Sequence, residues 1–129
     1  MNREYRIYDT EQRRYVTDER IWLIAADGTL YYLKTENAVF VKAKNCVVEW
    51  ATGLTDRLGK KIYESDIVEG IYNHKRFIIA WDYMDACFAL TTKSGGCTTY
   101  HYDEYTMVDT HEMEVIGNKW DNPELLKAK

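Results

Sequence analysis

Short apolar runs broken by turn residues follow one another along this chain, spaced for strands rather than for helices. Tyr5 and Ile7 alternate with Arg6 and Tyr8, which predicts a first strand over residues 4–8 with one buried face. The charged stretch from Asp9 to Arg14 follows as a loop or turn. Two β-prone runs, Ile21 to Ala25 and Thr29 to Leu33, flank Asp27-Gly28, a strong hairpin signal because both turn residues tolerate positive φ. The apolar run Ala38 to Val41 lies within Thr35 to Lys44, the one stretch whose spacing also suits a short helix. Cys46 to Ala51 predicts another strand, with Val47 or Val48 and Trp50 facing inward.

The segment from Thr52 to Gly70 has the grammar of a turn feeding a strand. Gly53 and Gly59 offer backbone freedom, and Asp56 is placed to bond its own backbone in an Asx-type turn. Ile62, Ile67 and Val68 then supply apolar positions for a core. Strands are predicted over Asp66 to Tyr72 and Arg76 to Asp82, joined by Asn73-His74-Lys75. Phe77, Ile79 and Trp81 share one face of the second, and Ile78 and Ala80 share the other, so it is expected to be central and covered on both sides. Further strands are expected over Ala86 to Thr92, Cys97 to Tyr102 and Glu112 to Gly117. Asn122-Pro123-Glu124-Leu125-Leu126 predicts one helical turn, with Asn122 as N-cap and Pro123 at its first position. The pattern is that of a mostly β, barrel-like protein with a meander after residue 60.

Composition narrows the class. A chain that is 46% apolar and 14% aromatic folds rather than staying disordered, and 129 residues are enough to bury a core. A net charge of −4 repels a phosphate backbone at long range, leaving nucleic acid only a local patch to bind. No apolar run is long enough to span a membrane, and no charged-then-apolar leader is present, so the expectation is a soluble, unexported protein. Three cysteines without a Cys-x-x-Cys pair (Cys46, Cys87 and Cys97) read as reduced thiols in a cytoplasm.

Candidate chemistry is thin. Glu64 and Asp66 stand two apart and would share a face on a continuous strand, as a carboxylate pair for a divalent cation or for acid–base work requires. The plainer expectation is that Asp66 caps a turn while Glu64 is solvated or pairs with Lys60 or Lys61. Cys97 and His101, with Cys46, Cys87, His74 and His111, lack the second close pair that a structural zinc site needs. Lys93-Ser94-Gly95-Gly96 lacks the order of a phosphate loop. His101 and His111 fall in an acidic stretch with Asp103, Glu104, Asp109, Glu112 and Glu114, expected to be a solvated edge. Arg57, Lys60 and Lys61 form a basic rim that, with tyrosines nearby, is one recipe for single-stranded nucleic acid. Tyr72, Tyr100, Tyr102 and Tyr105 better suit a protein contact surface. No metal, cofactor or catalytic set is expected.

Thr52-Gly53-Leu54, Asp56, Gly59-Lys60-Lys61-Ile62-Tyr63-Glu64 and Asp66-Ile67-Val68 resemble the signature of the YopX family of phage and prophage proteins. Glu114-Val115-Ile116-Gly117-Asn118 and Asn122-Pro123-Glu124-Leu125-Leu126 resemble its closing motif, in the same order along the chain. The resemblance fades between Lys34 and Lys44 and from Asp82 to Asp109. Ser65 stands where the family usually has Gly, which argues against a positive φ there, and Leu58 replaces a polar turn residue. The resemblance implies an SH3-type β-barrel over residues 51–129 after a smaller β-rich segment over residues 1–50, and no particular activity. Together these observations lead to an expected non-enzymatic phage or prophage accessory protein of the bacterial host cytoplasm. It would bind another protein or self-assemble into a homo-oligomer, with no membrane contact. Nucleic-acid binding and a carboxylate-based metal-dependent hydrolase are the alternatives.

Overall fold

The computed structural model describes residues 4–17, 20–72, 74–82, 87–91, 99–101 and 110–126. The chain divides into two compact units, one formed by Tyr5–Glu49 and the other by Met1–Glu4 with Trp50–Lys129. Both are built from antiparallel strands.

In the unit Tyr5–Glu49, strand β1 (Tyr5–Asp9) turns into the short β2 (Arg14–Tyr15), with Tyr8 opposite Tyr15. Asp9 makes this turn by accepting the N–H groups of Glu11 and Gln12 on Oδ1, both at 2.9 Å. The loop or turn expected here is the turn of a hairpin. Ile7 and Tyr8 are both buried although they point to opposite faces, so β1 lacks the single buried face that its alternation suggests. The other side of β1 is taken by the first half of β6 (Cys46–Thr55).

The same unit holds a three-stranded sheet of β3 (Trp22–Ile24), β4 (Leu30–Lys34) and β5 (Val39–Lys42), in that order. The Asp27-Gly28 hairpin joins β3 to β4 as expected. Of its two turn residues, however, only Gly28 has positive φ. Ala25 accepts the N–H of Gly28 and donates to Thr29, which makes a three-residue loop closed by glycine rather than a two-residue turn. Thr35 to Lys44 is not helical: a tight turn over residues 35–38, with Ala38 at positive φ, leads into β5. The β-branched and aromatic residues Val39, Phe40 and Val41 override the helical spacing by pairing with Lys34, Leu33 and Tyr32.

In the other unit, the second half of β6 pairs with β7 (Lys61–Tyr63) around an irregularity between Ala51 and Thr55. Gly53, at φ 86°, lies within it. Glu64 and Ser65 then turn the chain into β8 (Asp66–Gly70). A meander follows through β9 (Arg76–Asp82), β10 (Cys87–Thr91) and β11 (Thr99–His101). The last strand, β12 (Met113–Asn118), returns to the far side of β8, so the sheet order is β11-β10-β9-β8-β12. Ile62, Val68, Phe77, Ile79, Leu90 and Met113 form the core, backed by Phe88 and Val115. Each such side chain contributes roughly 1.5–3 kcal/mol by leaving water. Ile67, on the opposite face of β8 from Val68, is also fully buried, so β8 is the strand covered on both sides. On β9 only the Phe77–Ile79 face is fully buried, while Ile78 and Ala80 are half-buried. Trp81 packs edge-on against its cross-strand neighbour Phe88, with ring centroids 4.9 Å apart.

The chain closes in a 3-10 turn at Pro123–Leu126. Asn122 precedes it, but its side chain reaches back to accept the N–H of Asn118 at 3.2 Å instead of capping the turn. Gly117 allows this, because a Cβ there would collide with the Asn122 side-chain amide.

Candidate functional site

Part of the family motif builds the turn between β6 and β7. Asp56 is buried, and its Oδ1 accepts the N–H groups of Leu58 and Lys60, both at 2.9 Å, closing the Asx-type turn. Gly59 completes it at φ 80°. Asp56 Oδ2 accepts the N–H of Val115 on β12 at 3.0 Å, and Arg57 donates its own N–H to the Met113 carbonyl. Burial alone would raise the Asp56 pKa, but the Val115, Lys60 and Leu58 N–H groups and the Lys60 charge outweigh it and hold the carboxyl below its ordinary range. Leu58 at the tip is exposed.

Glu64 and Asp66 are not neighbours on one strand, because the chain turns between them. Asp66 Oδ2 accepts the Tyr63 N–H at 2.8 Å and so caps the turn as expected. Glu64 is half-buried, and its Oε1 accepts the Trp50 N–H at 2.8 Å. Both carboxylates thus serve backbone donors on different strands, and the same-face geometry expected of a shared pair is not formed. Ser65 corrects the expectation drawn from its side chain, since it adopts φ 71°. Its N–H donates to Ile79 and its carbonyl accepts from Lys119, so the surrounding strands impose the left-handed conformation.

The basic rim is matched by acids. Lys61 donates to Glu4 at 2.6 Å, and Tyr63 offers its hydroxyl to the same carboxylate at 3.4 Å. The hydrogen bond and charge of Glu4 raise the Lys61 pKa, and Lys61 lowers that of Glu4. Arg57 lies 3.8 Å from Glu114. Lys60 is exposed.

Of the four tyrosines expected at a contact surface, Tyr72 is 77% exposed. Tyr102 and Tyr105 lie outside the described residues, as does the side chain of Tyr100, whose backbone runs in β11. The side chains of Cys87, Cys97 and His101 are likewise outside them. Among the described residues, no three His, Cys, Asp or Glu side chains converge as metal ligands. Cys46 is a free thiol whose pKa burial pushes up, the opposite of activation. Among the described residues no helix is long and apolar enough to cross a membrane.

One polar cluster escapes the sequence. Glu49 is buried on β6, and its Oε1 accepts from Arg6 Nε at 2.9 Å and from the Tyr15 hydroxyl at 2.8 Å. The Arg6 guanidinium also lies over the Tyr15 ring, 4.4 Å from its centroid. The available signal is that Arg6 shares a strand face with the core residue Tyr8, where a charge demands a partner.

The family model described as YopX protein matches residues 4–127. The SPbeta prophage-derived uncharacterized protein YopX of Bacillus subtilis (strain 168) is 31% identical, over 99% of this chain and 98% of its own. The crystal structure of the protein yopX from Bacillus subtilis superposes with a TM-score of 0.52 at 30% identity, covering 98% of this chain and 100% of that one. The crystal structure of protein EF1440 from Enterococcus faecalis shares the fold with a TM-score of 0.58 at 18% identity, covering 98% of this chain and 99% of that one. The family model's match over residues 4–127 and a 31% identical relative along nearly the whole chain make this protein a member of the YopX family.

Proposed function

We propose that this chain is a prophage accessory protein that acts without catalysis, by binding another protein or by assembling with copies of itself in the cytoplasm of a bacterial host. The observation that carries this reading is the set of large apolar side chains left at the surface, among them Tyr72, Ile21, Leu23, Val39 and Phe40. The motif's carboxylates contribute to the same reading, because Asp56, Glu64 and Asp66 each hold backbone N–H groups. The prophage origin of the Bacillus subtilis relative supports the setting. An SH3-type barrel is the proposed form of the unit that contains β7 to β12. The bonds from Asp56 and Arg57 to β12 support it, since they tie the edge of one sheet to the turn of the other.

Nucleic-acid binding through Arg57, Lys60 and Lys61 ranks second, because Glu114 and Glu4 stand beside two of the three cations. Sedimentation velocity over a range of concentrations tests the leading reading, with mass rising with concentration as the expected result. A chain that stays monomeric throughout and captures nothing from host lysate contradicts it. Titration with labelled single- and double-stranded DNA and RNA at low salt is expected to show no binding, since an electrostatic site is tightest there. Binding under those conditions would favour the alternative.

A further inference from the structure

Strand β5 is the outer edge of the sheet β3-β4-β5, and the ladder leaves half its backbone groups pointing away. Ala43 donates to the Leu30 carbonyl, so the alternation of an antiparallel pair sets Val41 and Val39 against Tyr32 and Lys34 in hydrogen-bonded pairs. The N–H and C=O groups of Phe40 and Lys42 therefore face outward, and no described residue takes them up. The side chains of these two residues lie on one face of the sheet. Register places Ile21 and Leu33 in the row of Phe40, and Leu23 and Tyr31 in the row of Lys42. Ile21, Leu23 and Phe40 are 55%, 46% and 44% exposed, so this face is a contiguous apolar patch that runs up to the open edge.

We infer that β5 pairs with β5 of a second copy across a two-fold axis at Val41, joining two three-stranded sheets into one of six strands. The inference rests on the self-assembly reading above and names its surface. The edge is self-complementary in an antiparallel register. Phe40 faces Lys42 of the partner and Lys42 faces its Phe40 in hydrogen-bonded pairs, and the two Val41 residues meet in the non-hydrogen-bonded position between them. Charge favours this orientation. Glu36 precedes β5 and Lys44 follows it, both exposed, so antiparallel pairing brings each copy's Glu36 to the end of the interface where the other's Lys44 lies. A parallel arrangement would bring like charges together. Lys42 stands next to the two-fold axis without meeting its own copy, and its charge discourages other strands from adding to this edge. Four residues of edge with the adjoining apolar rows make an interface smaller than the ~800 Å² per partner of a stable complex, so the dimer is weak and depends on concentration.

Cross-linking tests the register directly. Val41→Cys, in a background with Cys46→Ser, Cys87→Ser and Cys97→Ser, places two thiols in a pair with Cα atoms ~4.5 Å apart, within disulfide range. Under mild oxidation it is expected to form a covalent dimer, whereas Phe40→Cys, which would face residue 42 of the partner, is not. Glu36→Lys is expected to weaken association of the full chain in sedimentation, and Lys44→Glu in the same chain to restore it. That second measurement holds if the cysteine variants fold poorly. Wild-type association with no Val41→Cys dimer, or with no response to the charge variants, overturns the β5 interface and leaves self-assembly through another surface. A wild-type chain that is monomeric up to the highest concentration overturns both the interface and the self-assembly reading.

Discussion

Asp56 Oδ2 accepts the backbone N–H of Val115 at 3.0 Å across 59 residues of sequence, while its other oxygen holds the N–H groups of Leu58 and Lys60. One buried carboxylate thus shapes the turn between β6 and β7 and fastens it to the last strand. Replacing it leaves three backbone donors without their acceptor. Asp56→Ala is therefore expected to cost about 3 kcal/mol or more, measured from urea unfolding midpoints at neutral pH.

The same group gives a pH signature. Because its folded pKa lies below the ordinary value of 3.8, its contribution is fully present above that value and is lost as pH falls through it toward the folded pKa. The stability gap between wild type and Asp56→Ala should be constant from neutral pH down to about pH 5 and narrow on further acidification. Unfolding midpoints at several pH values check this, and a gap that widens on acidification would contradict it.

Ser65 stores strain that glycine would not. A side chain at φ 71° costs roughly 1–2 kcal/mol, offset in part by the added freedom glycine brings to the unfolded chain. Ser65→Gly is expected to raise the melting temperature slightly or leave it unchanged. Ser65→Val should lower it clearly, because a β-branched residue tolerates this conformation least.

Gly117 and Asn122 are coupled by contact. Gly117→Ala puts a methyl group into the Asn122 amide and should destabilise the fold by roughly 1–3 kcal/mol. In an Asn122→Ala background the added methyl should cost much less. A double-mutant cycle from denaturant unfolding measures the difference, and additive effects would show that the two residues do not meet as described.

Glu49 is a buried charge of the unit Tyr5–Glu49, held by Arg6 and Tyr15. Glu49→Ala removes the acceptor of both Arg6 Nε and the Tyr15 hydroxyl and is expected to cost about 3–5 kcal/mol, the scale for breaking a buried pair from one side. Circular dichroism melts of this variant beside Glu49→Gln separate loss of charge from loss of the hydrogen-bonding group.

What can be read from the chain beforehand follows the range of the forces involved. The Asp56 turn, the Asp27-Gly28 hairpin and the strands from Asp66 onward are set by residues a few positions apart, so their chemistry is visible in order. The burial of Glu49 is not, because Arg6 lies 43 residues away and only pairing in space shows why a charge sits among Val47, Val48 and Trp50. The helical spacing of Thr35 to Lys44 gives way to pairing with β4, a tertiary preference that local periodicity does not contain. Positive φ at Ser65 likewise comes from the bonds to Ile79 and Lys119, not from the residue itself. The carboxylates Glu64 and Asp66 look like a pair only while the chain is imagined straight between them.

Native-state hydrogen exchange at the amides of Leu58, Lys60 and Val115 is the most direct test of the claim that the motif is a structural clasp. The expected result is that all three exchange as slowly as the amide of Ile67 in the core and speed up together in Asp56→Ala. Exchange of Leu58 and Lys60 at the rate of a free surface turn in the wild-type protein would contradict it.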